Sequence, residues 1–219
     1  MEVLLYITAA ICAYLIAGLN PAIEFSKRIY HKDIRTCGSG NPGFTNFKRT
    51  FGNKLAWVVF ALDLSKATIV VAVFAWLFDM LFGNYQLGAA YTGLFALLGH
   101  AHPVWYKFKG GKGFLVYMSV IWFIDWRAGL IALFVMLLLL LTTRYMSVST
   151  VIAMLTCPVT LILTKASLPV ILLCAASVTY IAIRHKENFK RLINGTESKF
   201  SFKSKSASSG NDSDKSASE

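Results

Sequence analysis

Charge is scarce in this chain of 219 residues. Asp, Glu, Lys and Arg make up 15% of it, where a soluble domain carries about 25%. Segments of strand length with alternating polarity are missing too, which excludes a membrane β-barrel. The four cysteines do not pair by spacing. Cys12, Cys157 and Cys174 fall inside apolar blocks and Cys37 abuts a polar loop, so neither a disulfide framework nor a metal site is expected. The aspartates at 33, 63, 79 and 125 are isolated, which argues against the clustered acids of a CDP-alcohol phosphotransferase. No histidine is followed five residues on by aspartate: Thr36, Trp105, Lys107 and Lys190 stand there. With GxSxG also absent, neither a His-Asp base nor a serine nucleophile elbow is on offer. The N-terminal stretch lacks a basic leader region and a small-residue cleavage site, and reads as a first membrane span.

What is present is apolar. Hydrophobic residues account for 56% of the chain and run in long blocks rather than amphipathic stripes. Only helices or closed barrels satisfy their backbone in lipid, so the fold class is all-α and polytopic in the membrane. Spans are expected near 3–23, 54–78, 85–105, 113–126, 127–144, 146–165 and 167–184, the fourth and fifth divided at Asp125-Trp126-Arg127. With seven spans, the regions after the first, third, fifth and seventh carry 7, 3, 1 and 8 Lys/Arg, or 19 of the 22. The positive-inside rule then places the C-terminus in the cytoplasm and the N-terminus outside. The net charge of +11 is therefore read as membrane orientation and anionic ligands rather than nucleic acid. Residues 1–199 form one membrane-embedded domain in this reading. Residues 200–219, with eight serines and almost nothing apolar, read as a disordered cytoplasmic tail.

Three polar clusters share the face made cytoplasmic by this parity. The first, Gly38–Arg49, combines Gly38, Gly40, Gly43 and Pro42 with Ser39, Asn41, Thr45 and Asn46, then Lys48 and Arg49. Glycines let backbone N–H groups approach a ligand, short polar side chains add donors, and arginine offers a planar fork for phosphate oxygens. The second, Gly99–Gly113, brackets Lys112 with Gly110, Gly111 and Gly113 just before an apolar helix. A helix start with free amides beside a lysine suits an anion. It is not a nucleotide-binding loop, because Tyr106 and Gly113 occupy the positions where that pattern needs Gly and Ser/Thr. His100 and His102 close the preceding span. The third, Arg184–Lys199, sets His185, Asn188 and Arg191 on one helix face, with Glu197 expected to cap or ion-pair rather than act as a base. Within the second span Asp63 and Lys66 share a face and are expected to pair, since lone charges in lipid are costly.

GSGNPGFTNFKRTFG, LLGHAHPVWYKFKGGKG and RHKENFKRLINGTESK, in this order, resemble the three motifs of the bacterial acyl-phosphate:glycerol-3-phosphate acyltransferases, the PlsY family. The resemblance covers about residues 1–200 and includes Asp63 and Lys66. It implies transfer of a fatty acyl group from acyl phosphate to the 1-position hydroxyl of glycerol-3-phosphate, giving lysophosphatidic acid, at a site on the cytoplasmic membrane surface. It implies Ser39, Arg49, Lys112, His185 and Asn188 as the central residues. Gly38, Gly40, Asn41, Thr45, Asn46, Lys66, His100, Gly110, Gly111, Gly113 and Arg191 are expected around the substrates, and Asp63 and Glu197 in support. The chain departs from the family's pattern at Phe44 and at Phe114-Leu115-Val116, which bears on acyl-chain fit.

Both of those substrates are phosphates and one has a long tail, so a basic pocket opening beside lipid is required. Acyl phosphate carries a good leaving group. Direct attack is therefore expected, with positioning and charge stabilisation supplied by the protein and the proton taken by phosphate or water. No cofactor, nucleic acid or obligate protein partner is expected. The alternative is a transporter of phosphate or organophosphate, which would hold its charges near the bilayer midplane; only Asp63 and Lys66 qualify.

Overall fold

The computed structural model describes residues 1–201; most of the expected tail, from 202 on, lies outside the described residues. The chain is helical. Seven apolar helices are α1 (Glu2–Gly18), α4 (Asn53–Phe82), α5 (Tyr85–Ala101), α6 (Phe114–Ile124), α7 (Trp126–Thr143), α8 (Met146–Leu163) and α9 (Leu168–Arg184). Three short amphipathic helices, α2 (Pro21–Tyr30), α3 (Phe44–Phe51) and α10 (Lys186–Ile193), join or follow them. The expected break falls at Asp125, whose carboxylate accepts from the Arg127 backbone and caps α7. The first expected span, by contrast, stops at Gly18. Leu19 and Asn20 are extended, and the Asn20 side chain caps α2 by accepting from Ile23.

Four segments are long and apolar enough to cross a bilayer: Glu2–Tyr30, α4, α7 and α8. Helices α9 and α10 would make a fifth only as a pair bent by 48°. Helix α6, with 11 residues, is about 16 Å long at 1.5 Å per residue, well under the roughly 30 Å of bilayer hydrocarbon. Outer faces of the long helices carry exposed Ile7, Ile11, Ile69, Val73, Phe134, Leu141, Ile152 and Leu155. Exposure of that kind is costly in water and normal against lipid tails.

Helix α5 is the hub, packed against α1, α4, α6 and α9. Its small residues permit this, as in other bundles where lipid gives no hydrophobic drive between helices. Ala9, Ala13 and Ala17 form a buried stripe on α1 at four-residue spacing, and Gly99 of α5 lies against the Tyr14 backbone of α1. Gly93 meets Val120 of α6, and Gly88 meets Phe78 of α4. A second apolar cluster sits beneath the polar loops: Ile23, Ile34, Phe44, Phe47, Tyr106 and Leu140. Phe200, the first residue of the expected tail, joins that cluster, and its amide donates to the Arg144 carbonyl. Helices α4 and α7 flank α6 without packing on each other, so α6 is the floor of a trough between them.

Candidate active site

Helix α3 explains how the first cluster is presented. Phe44, Phe47 and Phe51 fall on one face and pack inward, which turns Thr45, Lys48 and Arg49 outward. Asn46 then folds the loop before it. Its Oδ1 accepts from the Ser39 amide at 3.0 Å and its Nδ2 donates to the Cys37 carbonyl at 2.9 Å. Gly38 has φ of 55°, and a Cβ there would strike the Asn46 side chain, so only glycine fits. Ser39 and Arg49 are left exposed, with no hydrogen-bond or ion-pair partner among the described residues.

The glycines do less for a ligand than the sequence suggested. Gly40 donates its amide to Cys37 and Gly43 to Asn41. Gly110 and Gly111, expected to offer free amides, donate instead to the carbonyls of Ala101 and His100, both at 3.1 Å. The Arg184 guanidinium holds the other side of that loop, donating to the carbonyls of Gly110 and Gly111 at 3.3 and 3.0 Å. A Cβ on Gly111 would overlap the His100 ring. These glycines let three strands of backbone crowd together, and they aim Lys112 rather than bind through their own amides.

Lys112 heads a relay. Its ammonium donates to Asn188 Oδ1; Asn188 Nδ2 donates to Glu197 at 2.7 Å; and Glu197 also accepts from Ser147 Oγ at 3.0 Å and Arg191 Nε at 2.8 Å. Burial, with Arg191 and Arg184 adding repulsion, pulls the Lys112 pKa down to about 8, against the opposing pull of Glu197. Burial alone would raise the Glu197 carboxyl, but hydrogen bonds from Asn188, Arg191 and Ser147 hold it below the usual range. His185 sits at the bend between α9 and α10. Its Nδ1 lies 2.8 Å from the Ile181 carbonyl, which can only accept, so the proton is assigned to Nδ1 and Nε2 keeps its lone pair. Burial, together with nearby Lys112 and Arg184, drops its pKa to about 4, so it is neutral at working pH.

Behind the glycine loop lies a buried triad. Lys66 Nζ bridges Asp63 at 2.8 Å, His100 Nδ1 at 3.0 Å and the Leu19 carbonyl at 2.5 Å. The expected Asp63–Lys66 pair is thus present and includes His100. Asp63 and His100 reach the cavity wall, while Lys66 stands behind them and is no part of the lining.

One cavity of about 1090 Å³ gathers these elements. Its polar end holds Gly38, Ser39, Asn41, Thr45, Asn46 and Arg49 from the first cluster. Lys112 and Gly113 from the second join His185, Asn188, Arg191 and Glu197 from the third. The other end is the trough over α6, walled by Trp57, Phe60 and Leu64 of α4 and Leu133, Met136 and Leu137 of α7. Sequence reasoning missed Ser147 and Thr150, which line the cavity from the start of α8. Two hydroxyls three apart at a span's end were the available signal. The apolar wall had none, because cavity-facing and lipid-facing residues of a span look alike.

An amphipathic cavity with clustered cations at one end fits a ligand with an anionic head and an apolar tail. Residues 7–195 match the family model "Glycerol-3-phosphate acyltransferase". The chain belongs to the glycerol-3-phosphate acyltransferase family. It is an integral membrane enzyme of that activity, and the product is lysophosphatidic acid. Similar curated relatives of the same description include one from Bartonella henselae, 36% identical over 187 residues, covering 85% of this chain and 88% of the relative. Another, from Thermoanaerobacter sp. strain X514, is 37% identical, with 88% and 94% covered. Among solved structures, PlsY (YgiH), an integral membrane glycerol 3-phosphate acyltransferase, matches in its glycerol 3-phosphate form with a TM-score of 0.81. That pair is 30% identical, and the match covers 90% of this chain and 96% of that one. Its lysophosphatidic acid form matches with a TM-score of 0.78 at 29% identity.

Proposed function

We propose that the acyl donor is acyl phosphate, that the acceptor is the sn-1 hydroxyl of glycerol-3-phosphate, and that the acyl group passes directly between them. The observation that carries this reading is the continuity of the cavity: cations at one end, an apolar trough at the other, and no nucleophile–base pair between. The fatty chain lies along α6 between α4 and α7, entering sideways from the bilayer. Arg49 and Lys112 hold the phosphate that departs, with Asn188 and Glu197 fixing the lysine. Neutral His185, through the lone pair on Nε2, and the Ser39 hydroxyl orient the attacking alcohol. A pKa of about 4 makes His185 a weak base, so the alcohol's proton goes to the departing phosphate. The fixed cations stabilise charge that grows on the carbonyl and phosphate oxygens.

All seven apolar helices cross the membrane in this reading, with the basic loops and the C-terminus in the cytoplasm and the N-terminus outside. The loop charge counts support that orientation. The shortness of α6 fits it as well, because Lys112, at its start, is then recessed below the membrane surface where an acyl phosphate group would lie. The test is transfer to labelled glycerol-3-phosphate by purified protein, with palmitoyl phosphate, acyl-CoA and acyl carrier protein thioester as competing donors. Product from palmitoyl phosphate alone is expected; preference for a thioester would defeat the donor assignment.

A further inference from the structure

A smaller chamber of about 450 Å³ opens beside the main cavity, and the two share Ser39, Asn41, Lys112 and Arg191 as a common wall. Its remaining lining includes Arg184, Lys186, Tyr180, His102 and Glu187. Four cations therefore face it against one acid, and Lys190 draws that acid away by pairing with it at 3.3 Å. Two buried polar atoms on its wall residues, the Tyr180 hydroxyl oxygen and Arg184 Nε, have no hydrogen-bond partner among the described residues. Arg184 cannot easily turn away, since Nη2 is tied to the Gly110 and Gly111 carbonyls. Orphaned donors in a basic chamber cost free energy unless an acceptor arrives to meet them. None of the apolar trough residues lines this chamber, so it has no place for an acyl chain.

We propose that this chamber is a second phosphate subsite, with Tyr180, Arg184 and Lys186 as its own residues. The inference rests on the acyl-phosphate reading. In that reaction the alcohol oxygen bonds to the acyl carbon and the carbon–oxygen bond to phosphorus breaks. The departing phosphate keeps the electron pair and takes the alcohol's proton. Two phosphate groups are thus present at once, one on the acceptor and one leaving. The main cavity grips the one joined to the tail. The chamber holds a phosphate with no tail, either that of glycerol-3-phosphate or free orthophosphate on its way out.

Tyr180→Phe is the cleanest probe, because it deletes an oxygen that bonds to nothing in the protein and keeps the ring against His102. A purely structural tyrosine would tolerate the change. Losing one hydrogen bond to phosphate should weaken binding about 2- to 12-fold. Lys186→Gln, at an exposed position, should act in the same direction. If the chamber takes the acceptor's phosphate, KM for glycerol-3-phosphate rises while KM for palmitoyl phosphate stays put. If it takes the leaving group, the inhibition constant for orthophosphate rises instead. Both constants unchanged in both variants, or a rise confined to palmitoyl phosphate, overturns the proposal. Should the wild-type protein use no acyl phosphate at all, the donor reading fails separately. Calorimetric titration of wild type and Tyr180→Phe with orthophosphate then still decides, equal affinity or no binding counting against the subsite.

Discussion

Glu197→Gln tests the relay behind Lys112. The carboxylate accepts from Asn188, Arg191 and Ser147 at once, which an amide cannot do. One amide oxygen can keep Asn188 or Arg191, and the amide nitrogen then presents hydrogens to the other donor. At least one charge-assisted hydrogen bond is lost, worth roughly 1.5–3 kcal/mol. If that loss is felt in the transition state through a misplaced Lys112, kcat/KM falls about 10- to 150-fold. A second, more specific consequence concerns pH. Lys112, with a pKa pulled to about 8 by burial, should give kcat/KM for acyl phosphate an alkaline limb near that value as its charge is lost. Glu197 opposes the fall, holding that pKa up. Removing its charge therefore moves the limb to lower pH. The assay is kcat/KM for palmitoyl phosphate at saturating glycerol-3-phosphate between pH 5.5 and 9, for both proteins. A limb that stays in place, or moves up, would refute the coupling. The Arg191 contact is partly exposed, so salt should weaken its share.

Lys112→Arg should keep measurable activity and Lys112→Met should lose most of it, about 10- to 150-fold, if the ammonium acts as a fixed charge; equal loss in both variants would point to proton transfer instead. For topology, single cysteines replacing Lys54 and Lys107 in a cysteine-free background should react with an impermeant maleimide only from the cytoplasmic side. One replacing Gly83 should react only from outside, and labelling of position 107 from outside would break the seven-span arrangement.

The helices were legible because their signals are local. Charge flanked by tryptophans marked the turn at Asp125, and apolar blocks marked each long helix. Asp63 and Lys66 were legible as a pair because three residues separate them on one helix. The rest depends on contacts distant in sequence. Lys112 meets Asn188 across 76 positions and Ser147 meets Glu197 across 50, which no window along the chain reveals. The glycine loops were recognisable by composition, yet their amides proved committed to Cys37, Asn41, Ala101 and His100. Composition shows that backbone can come close; it does not show to what. Arg184 and Tyr180 were invisible as site candidates for a related reason, since one read as an interface charge and the other as part of a span.

The central claim is direct transfer, and rapid quench with labelled palmitoyl phosphate tests it most directly. Mixed with enzyme and glycerol-3-phosphate, the label should pass to lysophosphatidic acid in the first turnover with no acyl group on protein at any time. Ser39→Ala should slow that turnover without changing the species seen. An acyl-protein that forms before product, chases into it and is missing in Ser39→Ala would contradict the account.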